Sequence, residues 1–362
     1  MSIVMDKDIL ETVRQKISQG TRISREEGVS LYHSQDFLEL GALANEVKEK
    51  ITNNFVTYVI NRQINPTNIC VLSCRFCDFA TKKNRSNAYE MTIDEILSKC
   101  TPELKEVHIV SGLHREWPFA YYLEMVQAVH EKFPAIQIKA FTAVEIDFFA
   151  RMEKQPAEKI LLELKKAGVV CLPGGGAEVF SERVRKALFP FKIGAPRWLE
   201  IHKIAHGLGL RSNSTLLYGH METYEERVDH VLKLRDLQDK TGGFLSFIPL
   251  AYQPGKTKVA DRQTSAIDDL KTIAISRILL DNFKHIKSYW VTMGEETASM
   301  ALHFGADDLD GTIGEEKIMH AADAESPFCM AKERLESLIR SARREPLERD
   351  ALYHTFDPVA AA

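Results

Sequence analysis

The chain has 362 residues, of which 44% are hydrophobic and 27% are charged. This composition excludes a disordered polypeptide, and the length suits either two domains or one α/β barrel with additions. The formal net charge of −4 gives no overall positive field, so we expect a small-molecule substrate and no binding to nucleic acid or to a membrane. The N-terminus lacks an apolar run of signal-peptide length, which predicts a cytoplasmic protein.

Helical periodicity marks the N-terminal segment and returns near the C-terminus. Apolar residues recur at three- and four-residue spacings in 9–17 and 37–51, so residues 1–55 are predicted to form an N-terminal helical extension. Residues 327–345 predict a further helix with a proline in its first turn. We therefore expect residues 313–362 to form a C-terminal helical extension.

Short β-branched or aromatic runs alternate with amphipathic segments between these extensions, as in βα units around a parallel sheet. Seven runs are predicted as strands: 57–63, 106–112, 136–142, 169–174, 210–219, 244–252 and 286–292. Residues 305–311 are a candidate for a short eighth strand. We expect residues 56–312 to form a (βα) barrel, so that core and extensions make one structural domain.

Three cysteines follow the first predicted strand with the spacing C-x3-C-x2-C. In parallel α/β folds the carboxyl ends of the strands bind ligands, and in a reducing compartment clustered thiols favour metal ligation over disulfides. Zinc is the weaker candidate because no further ligand motif lies nearby, whereas three thiolates suit three irons of a [4Fe-4S] cluster and leave one iron open. The three candidate ligands are Cys70, Cys74 and Cys77, and the remaining Cys100, Cys171 and Cys329 are predicted to be buried.

The pattern C-x3-C-x-aromatic-C, with Phe76 as its aromatic residue, resembles the signature of the radical S-adenosylmethionine (SAM) enzymes. The resemblance implies an α/β fold of the TIM type, a [4Fe-4S] cluster on the three cysteines, and SAM as cosubstrate. It further implies that an electron from the cluster cleaves SAM to methionine and a 5′-deoxyadenosyl radical. Reduced flavodoxin or ferredoxin is the implied electron donor.

The resemblance also implies where SAM binds, because the superfamily carries binding segments at successive strand ends. Ser111-Gly112 is a partial match to the segment that holds the methionine amino group, and Glu178 stands where polar side chains commonly hold the ribose. The fifth predicted strand follows the superfamily's G-x-I-x-G-x-x-E with Thr215 in place of the first Gly and Leu217 in place of Ile. The implied cofactor-binding residues are Phe76, Ser111, Gly112, Glu178, Leu217, Gly219, Glu222 and Pro249.

A more specific likeness is carried by residues 139–151, 172–180 and 211–230, which resemble the aminofutalosine synthases of the futalosine route to menaquinone. It implies addition of the radical to the enol ether of 3-[(1-carboxyvinyl)oxy]benzoate, then rearrangement and decarboxylation to 6-amino-6-deoxyfutalosine. The reaction would be an adenosyl transfer. Two alternatives remain open: a dehypoxanthine futalosine cyclase, which abstracts hydrogen, and an iron–sulfur electron-transfer protein.

A dianionic substrate in a dry pocket needs cations or N–H donors around its carboxylates. Gly174, Gly175 and Gly176 form a turn before a predicted helix and can present such donors, although a tight turn without a ligand is the alternative. Arg211 is a candidate carboxylate partner, with a surface position as the alternative.

Three further residues are candidates for acid–base work at the predicted strand ends. His220 and His114 could donate a hydrogen bond or move a proton, and a purely structural role is equally compatible with their positions. Glu145 follows the third predicted strand and is the candidate carboxylate of the pocket.

Overall fold

The computed structural model describes residues 2–354 and begins with three helices, α1 (Ser2–Ser18), α2 (Arg25–His33) and α3 (Phe37–Thr52). Ser24 caps α2 in a reciprocal capping box with Glu27, and the Asp36 side chain accepts the Glu39 N–H at the start of α3. The helices predicted before residue 55 are therefore present.

Ten strands lie within the described residues, and all of their pairings are parallel. They are β1 (Phe55–Val59), β2 (Asn61–Ile64), β3 (Glu106–Ile109), β4 (Gln137–Ala140), β5 (Val169–Leu172), β6 (Arg211–Tyr218), β7 (Phe244–Ala251), β8 (His285–Ile286), β9 (Asp308–Gly311) and β10 (Glu345–Glu348). Buried parallel strands need covering helices, which the crossovers supply.

The helices after β2 are mostly crossovers between neighbouring strands. They are α4 (Ile93–Ser98), α5 (Phe119–Lys132), α6 (Ala143–Glu153), α7 (Ala157–Ala167), α8 (Glu182–Leu188), α9 (Ala195–Gly207), α10 (Tyr224–Thr241), α11 (Ala266–Leu279), α12 (Trp290–Met293), α13 (Glu295–Ala301) and α14 (Lys332–Ser341). For example, α9 and α10 flank β6 in the chain and pack against it.

The strands form a curled parallel sheet of the expected radical SAM barrel type. Strands β2 to β8 are adjacent in chain order, and β1 lies between β9 and β10 in a second sheet. The predicted first strand is thus divided at Ile60, where the chain passes from one sheet to the other. On the far side a bridge between Lys287 and Asp308 links the end of β8 to β9. The candidate eighth strand, β9, is therefore confirmed.

Several predicted elements differ from the structure. Of residues 286–292 only the first is strand, and the aromatic run forms α12 because Trp290 is buried and its indole N–H donates to the carbonyl of Gly311. Helix α14 begins at Lys332, after Pro327, and a strand (β10) follows it where only helix was expected. Cys329 is exposed, whereas Cys100 and Cys171 are buried as predicted.

Candidate active site

A cavity of about 300 Å³ lies inside the curled sheet, between the strand interiors and the loops at their carboxyl ends. Its walls include all three clustered cysteines and residues from the loops after β3, β4, β5 and β7. Ligands of parallel α/β folds bind at this end of the strands. The cavity is therefore the candidate active site.

The cysteine loop is held in place by backbone hydrogen bonds and by one lysine. Cys70 donates its N–H to Thr81 O at 3.0 Å, and the Lys82 ammonium donates to the carbonyls of residues 70, 71 and 72 at 2.8 to 3.1 Å. These bonds leave the three thiols facing one cavity, and none forms a disulfide.

The thiol environment fits a metal cluster. Burial raises the pKa of Cys74 to about 11 and also raises the pKa of Cys77, so that without a metal these thiols stay protonated at pH 7. Within residues 2–354, no group of three or more His, Cys, Asp or Glu side chains has the close geometry of a site for a single metal ion. Partly buried sulfur donors around one cavity suit the irons of a [4Fe-4S] cluster.

Beside the cysteine loop, Glu178 forms an ion pair with Lys192, and both residues line the cavity. The Lys192 ammonium also lies 5.3 Å from the centroid of the Phe76 ring, within the range of a cation–π contact. Glu178 and Phe76 are predicted from the sequence, whereas Lys192, which lies in the loop between α8 and α9, is not. A lone lysine in a loop carries no sequence signal, because its contacts depend on the fold.

The three glycines after β5 line the cavity, and at least two of them are required by the backbone. A Cβ atom on Gly174 would lie 2.4 Å from the Cα of Ser214, so only glycine allows this close approach to β6. Gly176 has a φ of +89°, which is in the left-handed region. Helix α8 begins only at Glu182, so the turn does not lie directly at a helix N-terminus. The three glycines therefore line the cavity, and at least two of them are also needed for the tight packing of the turn.

Glu145 connects the loops after β3 and β4. Its carboxylate accepts the Ser111 N–H at 2.9 Å with one oxygen and the Thr142 N–H at 2.8 Å with the other. Burial raises the pKa of Glu145 to about 7, although the hydrogen bonds from Thr142 and Ser111 act against this change. Ser111, Gly112 and Glu145 all line the cavity. With both oxygens already bonded, Glu145 fixes the loops.

The segment after β6 is organised by Glu222. Its carboxylate accepts the N–H groups of Gly219 at 2.6 Å and His220 at 3.0 Å, and Arg227 donates to it at 2.8 Å. Gly219, Glu222 and Pro249 are outside the cavity lining, whereas Leu217, Ile248 and Leu250 belong to it. Glu222 thus shapes the loop that follows Leu217.

The two candidate histidines lie outside the cavity lining, and their nitrogens are engaged with neighbouring groups. His220 Nε2 is 3.0 Å from Leu217 O, and its Nδ1 accepts the Met221 N–H at 2.8 Å. His114 is buried, with Nδ1 accepting from the N–H groups of Glu116 and Trp117 at 3.2 Å. Both geometries match the structural alternative that the sequence left open.

Arg211 lies at the amino end of β6, away from the cavity lining. It is exposed and donates to the carbonyl of Gly242 at 3.0 Å. The surface alternative therefore describes its position, because the first residue of the strand is at the end opposite to the ligand-binding loops.

Polar side chains on the strands, and two just after β8, line the deeper part of the cavity and are not predicted from the sequence. The strand residues are Gln63, Glu106, His108, Lys139, Asn213 and Asp310, and the two that follow β8 are Lys287 and Tyr289. Their one signal in the sequence is a polar residue at alternate positions of otherwise apolar strands, such as Glu106 and His108 in β3. That alternation is also the pattern of a half-exposed strand, so it did not indicate an interior site.

Two family models match the chain: the radical SAM superfamily over residues 64–234 and the "CofH/MqnC C-terminal region" over residues 241–361. An aminodeoxyfutalosine synthase of Thermus thermophilus is 44% identical, with 94% of each chain covered. One of Streptomyces coelicolor is 41% identical, covering 96% of this chain and 94% of its own. A cyclic dehypoxanthine futalosine synthase of the same organism is 39% identical, covering 96% of this chain and 89% of its own.

Solved structures agree with the fold. Methylornithine synthase superposes with a TM-score of 0.73 at 16% identity, covering 92% of this chain and 97% of its own. The FeFe-hydrogenase maturase HydG of Carboxydothermus hydrogenoformans gives 0.71 at 17% identity, covering 96% of this chain and 81% of its own. Among the described residues, no helix has both the length and the apolar character needed to span a bilayer.

Proposed function

We propose that this chain, which belongs to the radical SAM superfamily, is an aminodeoxyfutalosine synthase. The observation that carries the proposal is the identity of 44% and 41%, over nearly the whole chain, to two enzymes of that name. The relative named cyclic dehypoxanthine futalosine synthase is 39% identical, which makes the cyclase the second candidate.

The substrate that we propose is 3-[(1-carboxyvinyl)oxy]benzoate, and the product is 6-amino-6-deoxyfutalosine. The [4Fe-4S] cluster and SAM, when bound, supply the 5′-deoxyadenosyl radical that adds to the enol ether. Cys70, Cys74 and Cys77 would hold the cluster, since all three thiols face the same cavity. Reduced flavodoxin or ferredoxin is the proposed electron donor, and the cytoplasm the proposed location.

The residues around the cysteine loop are suited to hold SAM. Glu178 can accept hydrogen bonds from the ribose hydroxyls, and its ion pair with Lys192 fixes the carboxylate beside the thiols. Leu217 and Ile248 line the same wall and offer an apolar surface for a flat adenine. Ser111 and Gly112 also line the cavity, and since their N–H groups donate to Glu145 and Thr67, their carbonyl oxygens would accept from the methionine amino group. The position of this wall would depend on the neighbouring backbone at Gly219, Glu222 and Pro249.

The cavity also limits side reactions of a radical. Its lining includes apolar side chains that can shield a reacting carbon from water: Leu72, Leu113, Val144, Leu217 and Leu250. Glu145 holds two of the surrounding loops, so these walls keep their positions. The domain organisation that we propose is one barrel core, residues 56–312, with flanking extensions.

Product analysis tests the proposed function. The protein, reconstituted anaerobically with iron and sulfide, is incubated with SAM, dithionite and the enol ether substrate. We expect a product that retains the adenosyl group. If a parallel incubation converts dehypoxanthine futalosine with stoichiometric release of free 5′-deoxyadenosine, the protein is instead the cyclase. A reduced cluster that cleaves no SAM at all would favour an electron-transfer protein.

A further inference from the structure

The inner end of the cavity is a layer of polar side chains from adjacent strands. Gln63 on β2 is in register with His108 on β3, and His108 is in register with Lys139 on β4. All three line the cavity, so successive strands place them side by side. They lie within the strands and not in the loops, which puts them deeper than the cysteine loop.

The charged side chains of this inner layer are already paired with one another. Lys139 Nζ lies 2.7 Å from Glu106 Oε2, and Lys287 Nζ lies 3.2 Å from Asp310 Oδ1. Arg349, from the segment after β10, contacts Asp308 at 2.5 Å. These three cations are matched by three carboxylates: Glu106, Asp308 and Asp310. The ion pairs therefore account for the layer's charges without a ligand.

His108 is the member of the layer whose hydrogen bonding is incomplete. Its Nε2 atom is buried, and no group among the described residues bonds to it. Burial, followed by the neighbouring Lys139 ammonium, lowers the pKa of His108 to about 4, so the imidazole is neutral at pH 7. A neutral imidazole has one N–H to donate. The His108 side chain lines the cavity, so a ligand group bound there can supply the partner that its imidazole lacks.

We propose that His108 and Lys139 form a carboxylate-binding subsite at the inner end of the cavity, which holds the aryl carboxylate of the substrate. The subsite rests on the proposed function for its ligand. The enol ether must lie near the cysteine loop, where the radical is generated. The aryl carboxylate is meta to the enol ether oxygen, so with the enol ether at the cysteine loop it can reach toward the inner layer. There the His108 N–H donates to it, and the Lys139 ammonium provides a second, charged contact.

The subsite gives the enzyme a way to recognise a dianion without a net positive cavity. A carboxylate entering the layer adds one negative charge to three balanced pairs. Hydrogen-bond donation from His108 and proximity to Lys139 compensate its loss of hydration. Lys139 is already bound to Glu106 and cannot serve alone, so His108 determines specificity for the aryl carboxylate.

Binding measurements on the reconstituted holoenzyme with SAM and without reductant test this subsite. The probes are the enol ether substrate, benzoate, and 2-phenoxyacrylate, which lacks the aryl carboxylate. We expect His108→Leu to weaken binding of the substrate and of benzoate about tenfold to a hundredfold, as loss of a hydrogen bond to a charged group does. His108→Gln, which keeps an N–H, recovers part of the affinity. Binding of 2-phenoxyacrylate stays within about twofold of the wild type.

Controls separate recognition from folding. His303→Gln changes an exposed histidine outside the cavity and keeps the wild-type Kd for all three probes. Thermal unfolding and iron content show whether a variant has lost its fold or its cluster. If His108→Leu has lost either, His108→Gln is used in its place. The proposal is overturned if the His108 variants bind the substrate and benzoate as the wild type does, or if all three probes lose affinity equally.

Together with the product analysis described above, these binding measurements distinguish failure of the subsite from failure of the proposed function. If benzoate binding depends on His108 but the wild type forms no adenosylated product, the subsite stands and the proposed function fails. If the wild type forms the product while the His108 variants keep their affinity for both carboxylates, the function stands and the subsite fails. If neither carboxylate binds the wild type, the subsite is overturned.

Discussion

Lys139 and Glu106 form an ion pair of 2.7 Å inside the barrel, between adjacent strands, and both side chains are at most 3% exposed. Burial opposes the charge on Glu106, yet the ammonium of Lys139, followed by Arg349 and Lys287, lowers the pKa of this carboxyl well below its usual range. The charged pair is therefore an integral part of the barrel interior and joins the two strands that carry the inner layer of the cavity.

Removing one partner of this ion pair should lower the free energy of unfolding substantially. Removing both charges should lower it by less than the two single losses combined. We expect Glu106→Gln and Lys139→Met each to lower the free energy of unfolding by about 3–5 kcal/mol, because each leaves a buried charge without its partner. The double variant should lose less than the two single losses combined. Urea unfolding of all four proteins gives the coupling energy, and strictly additive losses would contradict the pairing.

The three clustered cysteines should be needed for the cluster but not for the barrel. We expect Cys70→Ala, Cys74→Ala and Cys77→Ala each to abolish iron loading and product formation while the circular dichroism spectrum stays close to that of the wild type. Cys329→Ala is the matched control, since that thiol is exposed and outside the cavity. A cluster variant that keeps both its iron and its turnover would show that the ligand assignment is wrong.

The pair Glu178–Lys192 should affect SAM before it affects the cluster. We expect Glu178→Gln to weaken SAM binding about tenfold, because the amide accepts poorly from ribose hydroxyls and leaves the buried Lys192 ammonium without a counter-charge. Calorimetric titration with SAM and an iron assay measure the two effects separately. Glu182→Gln, at an exposed position paired with Arg185, is the control. Unchanged SAM affinity in Glu178→Gln would reject the role.

Buried histidines should make the fold sensitive to mild acid. The pKa values of His108 and His206 are lowered to about 4, and that of His230 to about 3, in each case chiefly by burial. Because unfolded histidine titrates near 6.5, the unfolded state binds more protons below that pH, and stability falls as the pH drops from about 6.5 to about 4. Each group contributes up to about 1.4 kcal/mol per pH unit.

Glu145 has the opposite effect on stability. Its pKa is raised to about 7, so the folded state takes up this proton before the unfolded state does, and acidification stabilises the fold through this group. With three histidines against one carboxyl, we still expect a lower urea midpoint at pH 5 than at pH 7. The variant His206→Gln should show a shallower dependence than the wild type. A midpoint that rises on acidification would indicate that the carboxyl dominates.

The parts of the site that the sequence predicts are those with fixed local spacing. The cysteine loop is one peptide segment after one strand, so its position follows from the strand-end rule once the strand is recognised. The turn at Gly174 to Gly176 is likewise local, and the structure explains it partly by the close approach of Ser214. Glu178 and Glu145 also follow predicted strands, and both line the cavity.

Other features depend on distant pairings that no local pattern reveals. The division of the first strand at Ile60 results from where β9 and β10 meet β1, and those strands lie about 250 and 290 residues later in the chain. Lys192 and His108 acquire their roles only when the barrel closes around them. The positions of His114 and His220 at strand ends suggested acid–base roles. In the folded protein, however, the ring nitrogens of both residues bond to neighbouring groups.

The contact of Arg349 with Asp308 also determines how late in synthesis the barrel interior can finish folding. Asp308 is fully buried, and its guanidinium partner belongs to the segment that follows β10. A growing polypeptide that ends before this segment contains the buried carboxylate without its principal counter-ion, and β1 lacks one of its two neighbouring strands. The interior of the barrel is therefore complete only after synthesis has passed residue 349.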